Sequence, residues 1–64
     1  MKVEVIPHPK TGANELYIDG IICGMVEQVS LDGESYSFMP TCPHERLTGD
    51  HYIAIGKQLN KMNN

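Results

Sequence analysis

The sequence predicts an α+β domain in which an antiparallel meander sheet of three or four strands packs on one C-terminal α-helix. Two observations predict this fold. Asp-Gly dipeptides at positions 19–20 and 32–33 separate runs of alternating apolar residues, a pattern typical of β-hairpins with two-residue turns. The last third of the chain carries apolar residues at helical spacing. With 64 residues, the chain has the length of one domain, spanning 1–64, with a thin core.

The strands follow from the turn signals. A first strand is expected over residues 2–6, and it ends at Pro7, which has no N–H to donate and therefore suits a sheet edge. A loop rich in Pro, Gly and Asn follows over residues 7–14. Two-residue turns at both Asp-Gly pairs would place Tyr17 opposite Ile22 and Val26 opposite Met39. In this register, one face of the sheet is mainly apolar and requires a cover; it carries Leu16, Ile18, Ile21, Cys23, Met25, Val29, Leu31, Tyr36 and Phe38.

The cover is a helix predicted from about Gly49 to Met62. Thr48 is suited to the N-cap, because its hydroxyl satisfies a free backbone N–H of the first turn. Gly56 would cost about 1 kcal/mol relative to Ala in a free helix, so we expect it to mark a close approach of the helix to the sheet. The apolar stripe of this helix consists of Tyr52, Ile55, Leu59 and Met62.

Charge and hydropathy limit the function. The net charge is −3, from eight acidic and five basic residues, and the basic residues are dispersed along the chain. Nucleic-acid binding requires clustered Lys and Arg that contact phosphates, so we expect no nucleic-acid partner. The N-terminal segment is interrupted at Glu4, Pro7 and Pro9 and resembles neither a signal peptide nor a membrane span. We therefore expect no membrane association and a cytoplasmic location.

A partner-binding site is predicted on the sheet face that the helix leaves uncovered. In the register above, four apolar side chains adjoin on that face, and the loop after the last strand adds Cys42 and His44. An apolar patch of this kind is typical of a contact with a protein partner or with a second copy of the chain. The alternative is that the N-terminal strand or loop covers these residues, or that they are ordinary surface residues. The predicted binding residues are Tyr17, Ile22, Val26, Met39, Cys42 and His44.

Catalytic and metal chemistry are weaker interpretations. Cys42, His44 and His51 are the candidate zinc ligands, but their spacing does not match the paired knuckles of structural zinc sites, and we expect neither a metal nor a cofactor. Cys42 lies shortly before a helix N-terminus, where a thiolate is stabilised. A chain of this size has too little volume for a pocket, an oxyanion hole and a core together. The sequence therefore predicts no catalytic residue and no enzyme activity.

Three segments, ELYIDG at 15–20, SYSFMP at 35–40 and RLTG at 46–49, resemble in style the small accessory proteins encoded by bacteriophages and prophages. The resemblance covers nearly the whole chain and implies a stand-alone protein that acts on a bacterial host protein in the host cytoplasm. The order of sheet and helix also resembles the N-terminal DNA-binding modules of tyrosine recombinases, in topology only, because Glu15, Glu27 and Glu34 occupy strands that are basic there.

The predicted function is therefore a non-enzymatic protein-binding module that contacts a host protein or forms a homodimer. Two alternatives remain open. One is a small domain stapled by zinc, and the other is a nucleic-acid-binding module of the sheet-plus-helix type.

Overall fold

The fold is a four-stranded antiparallel sheet with one helix packed on it. The structure is a computed structural model that describes residues 1–28, 35–41 and 47–63. The strands follow one another across the sheet in chain order, β1-β2-β3-β4, which confirms the α+β meander and gives it four strands. The elements are β1 (Val3–Pro7), β2 (Asn14–Ile18), β3 (Ile21–Gln28), β4 (Tyr36–Pro40) and α1 (Gly49–Asn63).

The first two connections fix how β1, β2 and β3 align. Between β1 and β2, the His8 N–H donates to the Ala13 carbonyl at 2.7 Å, so pairing continues one step beyond the strands. Between β2 and β3, Asp19 and Gly20 have φ values of 52° and 82°, as the predicted type I′ turn requires. The second Asp-Gly pair, Asp32 and Gly33, lies outside the described residues.

A β-bulge in β3 changes which side chains face the helix. Ile22 pairs with Tyr17, but the next pair joins Gly24 to Leu16, so Cys23 is an extra residue on β3. Beyond such a bulge, every side chain lies on the face opposite to that of a regular strand. Val26 is consequently completely buried on the helix side, and Met25 turns to the other side. The predicted positions of both residues were wrong, because the prediction assumed an unbroken alternation.

The alignment of β3 with β4 also differs from the prediction by one residue. Met39 pairs with Met25 rather than with Val26, and Val26 pairs with Phe38. This register places Val26 and Phe38 together on the core face, and the burial of Val26 and partial burial of Phe38 select it once the bulge has turned Val26 inward. The core consists of Leu16, Ile18, Cys23, Val26, Leu47 and Ile55, with Val3, Val5, Tyr36, Phe38, Leu59 and Met62 packed against it.

Gly24 is required where β3 meets β4. A methyl group at this position would overlap the Met39 carbonyl oxygen and would lie 2.7 Å from two carbons of the Phe38 ring. Contacts between carbon atoms are optimal near 3.5 to 4.0 Å. The Phe38 ring therefore occupies the space above Gly24 that a side chain would take.

Helix α1 begins with a cap that involves a histidine side chain. The Tyr52 N–H donates to the Thr48 carbonyl at 3.1 Å, which makes Thr48 the N-cap as predicted. His51 Nδ1 accepts the Thr48 N–H at 3.1 Å and lies 2.8 Å from the Thr48 hydroxyl. A histidine thus occupies the position that Glu or Gln takes in a capping box.

The core face of the helix is narrower than predicted. Ile55 is buried, and Leu59 and Met62 pack against the core, but Tyr52 is 50% exposed and does not belong to the core. Nothing lies within 4 Å of the position that a methyl group on Gly56 would occupy. The expected close approach of helix and sheet at Gly56 was therefore wrong, because this residue faces open space.

Candidate binding face

The sheet surface opposite α1 is the candidate functional site. Side chains alternate across a strand and directly paired residues share a face, so the pairings identify the members of this surface. Within the described residues, no second layer covers it. This surface, the open face, consists of Glu4, Ile6, Glu15, Tyr17, Ile22, Met25, Glu27, Ser37 and Met39.

The apolar side chains of the open face lie in two adjoining cross-strand rows. In the first row, Tyr17 pairs directly with Ile22. In the second, Met25 pairs directly with Met39, and Ile6 lies two strands away in the same row, on the far side of Glu15. Directly paired side chains have Cβ atoms about 4.5 to 5.5 Å apart, so Tyr17 with Ile22 and Met25 with Met39 form two apolar pairs of one patch, and Ile6 lies at its edge. Ile6 is 45% exposed, and Ile22 and Met39 are each 38% exposed.

The structure brings together three of the predicted binding residues and separates a fourth. Tyr17, Ile22 and Met39 share the open face, whereas Val26 lies in the core. Cys42 and His44 lie outside the described residues.

Sequence reasoning missed Ile6 and Met25 as members of the patch. The signal for Met25 was Gly24, because a glycine inside a strand often marks a bulge. The signal for Ile6 was its alternation with Val3 and Val5 along an edge strand, which places it opposite them on the sheet.

Acidic side chains lie at the margin of the patch and, at Glu15, between Ile6 and Met25. Glu4, Glu15 and Glu27 lie on the open face. Lys2 precedes Glu4 by two residues, and its Nζ lies 3.8 Å from Glu4 Oε1. Three carboxylates against one ammonium group give the open face an acidic character within the described residues.

Tyr17 links the apolar and acidic parts of this surface. Its hydroxyl donates to Glu15 Oε1 at 3.3 Å. Partial burial raises the pKa of the Tyr17 phenol, and the negative charge of Glu15 and this hydrogen bond raise it further. The phenol is therefore held in its neutral form, with its ring packed across from Ile22.

The described side chains offer little for metal chemistry. Among them, no group of three or more His, Cys, Asp or Glu residues is placed to hold a metal ion. His51 uses Nδ1 in the helix cap. Cys23 is buried and forms no disulfide with a described residue, and its Sγ lies 3.5 Å from the Ile21 carbonyl oxygen. The other candidate ligands, Cys42 and His44, are not among the described residues.

The described part of the chain contains no helix with the length and apolar character needed to cross a membrane. Comparisons of the chain with protein-family models, with curated proteins and with solved structures find no match.

Proposed function

We propose that this protein is a non-enzymatic protein-binding module that uses the open face to hold a partner. The observation that carries the proposal is the patch of Ile6, Tyr17, Ile22, Met25 and Met39 on the side of the sheet opposite α1. The partner that fits is a protein surface with an apolar centre and a basic rim.

The composition of the patch favours protein recognition. Tyr and Met are enriched at the centres of protein interfaces, where an aromatic ring gives a large contact area and a thioether adapts its shape. The Tyr17 ring is held by its pairing with Ile22 and by the hydrogen bond to Glu15. Because this anchor is already ordered, less conformational entropy is lost when a partner binds.

The charge of the open face favours a basic partner over a second copy. A face-to-face dimer would place Glu4, Glu15 and Glu27 of one copy against the equally acidic open face of the other, and like charges in one interface are unfavourable. A partner with Lys and Arg around an apolar centre would complement these carboxylates. The same carboxylates make the open face unsuitable for nucleic acid.

A bacterial host protein is the first partner to test. The reason is the resemblance of the sequence to small phage and prophage accessory proteins, which implies action on a host protein. Homodimer formation is the competing proposal, and a zinc-stapled domain is the remaining alternative.

The test is affinity capture from a bacterial lysate on immobilised protein, performed in parallel with wild type and variants. The double variant Ile22→Ser and Met39→Ser removes the exposed apolar centre. We expect a retained protein to be lost with this variant. Sedimentation velocity of the isolated wild-type protein should show a monomer.

Ile21→Ser is the matched control. Ile21 is the neighbour of Ile22 in the same strand and is 54% exposed, but it pairs with Ile18 on the helix side of the sheet. We expect the control to retain the same protein as wild type. A protein retained equally by both variants, or a wild-type dimer that the double variant dissociates, would contradict the proposal of a basic heterologous partner.

A further inference from the structure

A second surface, distinct from the open face, lies along the free edge of β1. Both backbone groups of Lys2 face β2. The Lys2 N–H donates to Asp19 Oδ1 at 2.8 Å, and the Lys2 carbonyl accepts the Asp19 N–H at 2.8 Å. In an antiparallel strand, backbone groups of alternate residues point to opposite sides. Val3 and Val5 therefore direct their N–H and carbonyl groups away from β2. Within the described residues, no strand pairs with β1 on that side.

At the opposite edge of the sheet, a side chain occupies hydrogen-bonding positions of β4. Asn63, at the end of α1, accepts the Tyr36 N–H with Oδ1 at 2.6 Å and donates from Nδ2 to the Tyr36 carbonyl at 3.2 Å. One side-chain amide thus takes the place of a neighbouring strand at this position of β4. An unpaired edge is available for strand addition unless something covers it, and the described residues supply such a cover for β4 but none for β1.

A groove runs beside β1 on the helix side of the sheet. It has a volume of about 300 Å³ and is lined by Met1, Val3, Ala54, Lys57, Gln58 and Lys61. Val3 contributes both to the free edge and to the groove wall. A chain that pairs with β1 would therefore project the side chain opposite Val3 into this groove, and the side chain opposite Val5 would follow on the same face.

The groove is basic although the protein is acidic. Lys57 and Lys61 are exposed and lie four residues apart on the same side of α1, about 6 Å along the helix axis. Among the described residues, those that line this groove include no acidic side chain, and Asp50 lines the adjoining pocket. Alternate side chains of an extended chain lie about 6.6 Å apart, a spacing close to that of the two lysines.

We propose that an extended acidic peptide binds here as a fifth strand, antiparallel to β1, with carboxylates at alternate positions directed toward Lys57 and Lys61. The antiparallel direction continues the pattern of the sheet and is the more stable pairing. Pro7 ends the pairing, because it has no N–H, so the site accepts a short segment opposite Val3 and Val5.

The probe is an acetylated and amidated peptide Gly-Glu-Val-Glu-Val-Gly, titrated into the labelled protein and followed by NMR amide shifts. We expect the Val3 and Val5 amides to shift and to exchange more slowly with solvent. The double variant Lys57→Gln and Lys61→Gln should bind about three- to tenfold more weakly, as expected for two exposed ion pairs. A peptide with Lys in place of Glu should bind more weakly than the acidic peptide.

N-methylated peptides separate strand addition from simple charge attraction. In an antiparallel pair, a peptide residue that bonds to Val3 or Val5 has its side chain on the same face as these valines. These peptide residues are the two glutamates, so their amides face β1. The amides of the two peptide valines then face solvent. N-methylation of both glutamates should weaken binding more than about tenfold by removing two hydrogen bonds, whereas N-methylation of both peptide valines should have little effect.

Equal binding of the two methylated peptides, or shifts that map to the open face or to β4, would overturn the proposal. So would an unchanged affinity in the double lysine variant, with its amide spectrum confirming an intact fold. Ile22→Ser on the open face should bind the peptide as wild type does, which keeps this test independent of the proposed function.

Discussion

Gly24→Ala tests the contact between β3 and β4. The added methyl group would overlap the Met39 carbonyl oxygen and lie 2.7 Å from the Phe38 ring. A backbone oxygen in a sheet cannot move away as the end of a flexible side chain can. Overpacking of this kind costs about 1 to 3 kcal/mol, and we expect a loss near 3 kcal/mol. The whole fold of 64 residues has a stability of about 3 to 10 kcal/mol.

The assay is urea denaturation followed by circular dichroism. With a slope of about 1 kcal/mol per molar urea for a small domain, the unfolding midpoint should fall by about 2 to 3 M. Gly56→Ala is the same chemical change at a position that faces open space within α1, and it should raise stability by about 1 kcal/mol. If Gly24→Ala leaves the midpoint unchanged or raises it, the bulge and the packing of Phe38 above Gly24 are wrong.

Two further predictions concern a pKa and a helix cap. The pKa of Tyr17 is raised, so the phenol's contribution to stability is complete below the unfolded value of about 10 and is lost as pH rises through the folded value. Glu15→Gln should lower the pKa of Tyr17 without restoring the unfolded value, because partial burial remains. The pKa is measured by titrating phenolate absorbance, and Tyr17→Phe identifies the contribution of Tyr17 to the curve. A titration curve that Glu15→Gln leaves unchanged would contradict this. His51→Ala should destabilise the protein by about 0.5 to 1 kcal/mol through loss of the bond from the Thr48 N–H, whereas His51→Gln should retain most of the cap. Equal unfolding midpoints for these two variants and wild type would show that the cap contributes nothing.

The elements that depend on local chemistry were predictable from the sequence. The helix was predicted from Gly49 to Met62 and extends from Gly49 to Asn63, because the N-cap residue and the apolar spacing are both local signals. The Asp19-Gly20 turn was predicted for a similar reason, since its two positive φ values are tolerated by these residue types.

The faces of β3 and the alignment of β4 were not predictable in the same way. The positions of Met25 and Val26 depend on one extra residue at Cys23, and a bulge is selected by packing across strands rather than by the residues at its own position. Gly24 carried the only local hint. Gly56 is the opposite case. A glycine inside the helix suggested a close contact with the sheet, but no atom lies within 4 Å of the position that its side chain would take.

The candidate site was predicted in part. The pairing of Tyr17 with Ile22 followed from the first Asp-Gly turn and was confirmed, so this turn placed two of the five residues of the apolar patch. The basic groove was not predicted. The five basic residues are dispersed along the sequence, and Lys57 and Lys61 become neighbours because they lie about one turn apart on the same helix.

The composition of the open face depends on the bulge, and the most direct test compares the free energies of unfolding of Met25→Ser and Val26→Ser. Val26 is completely buried, so its replacement leaves a cavity and buries a hydroxyl, and we expect a loss of about 2 to 4 kcal/mol. Met25 lies on the open face, so its replacement should cost less than about 1 kcal/mol. A larger loss for Met25→Ser than for Val26→Ser would contradict the bulge and, with it, the binding face proposed for this protein.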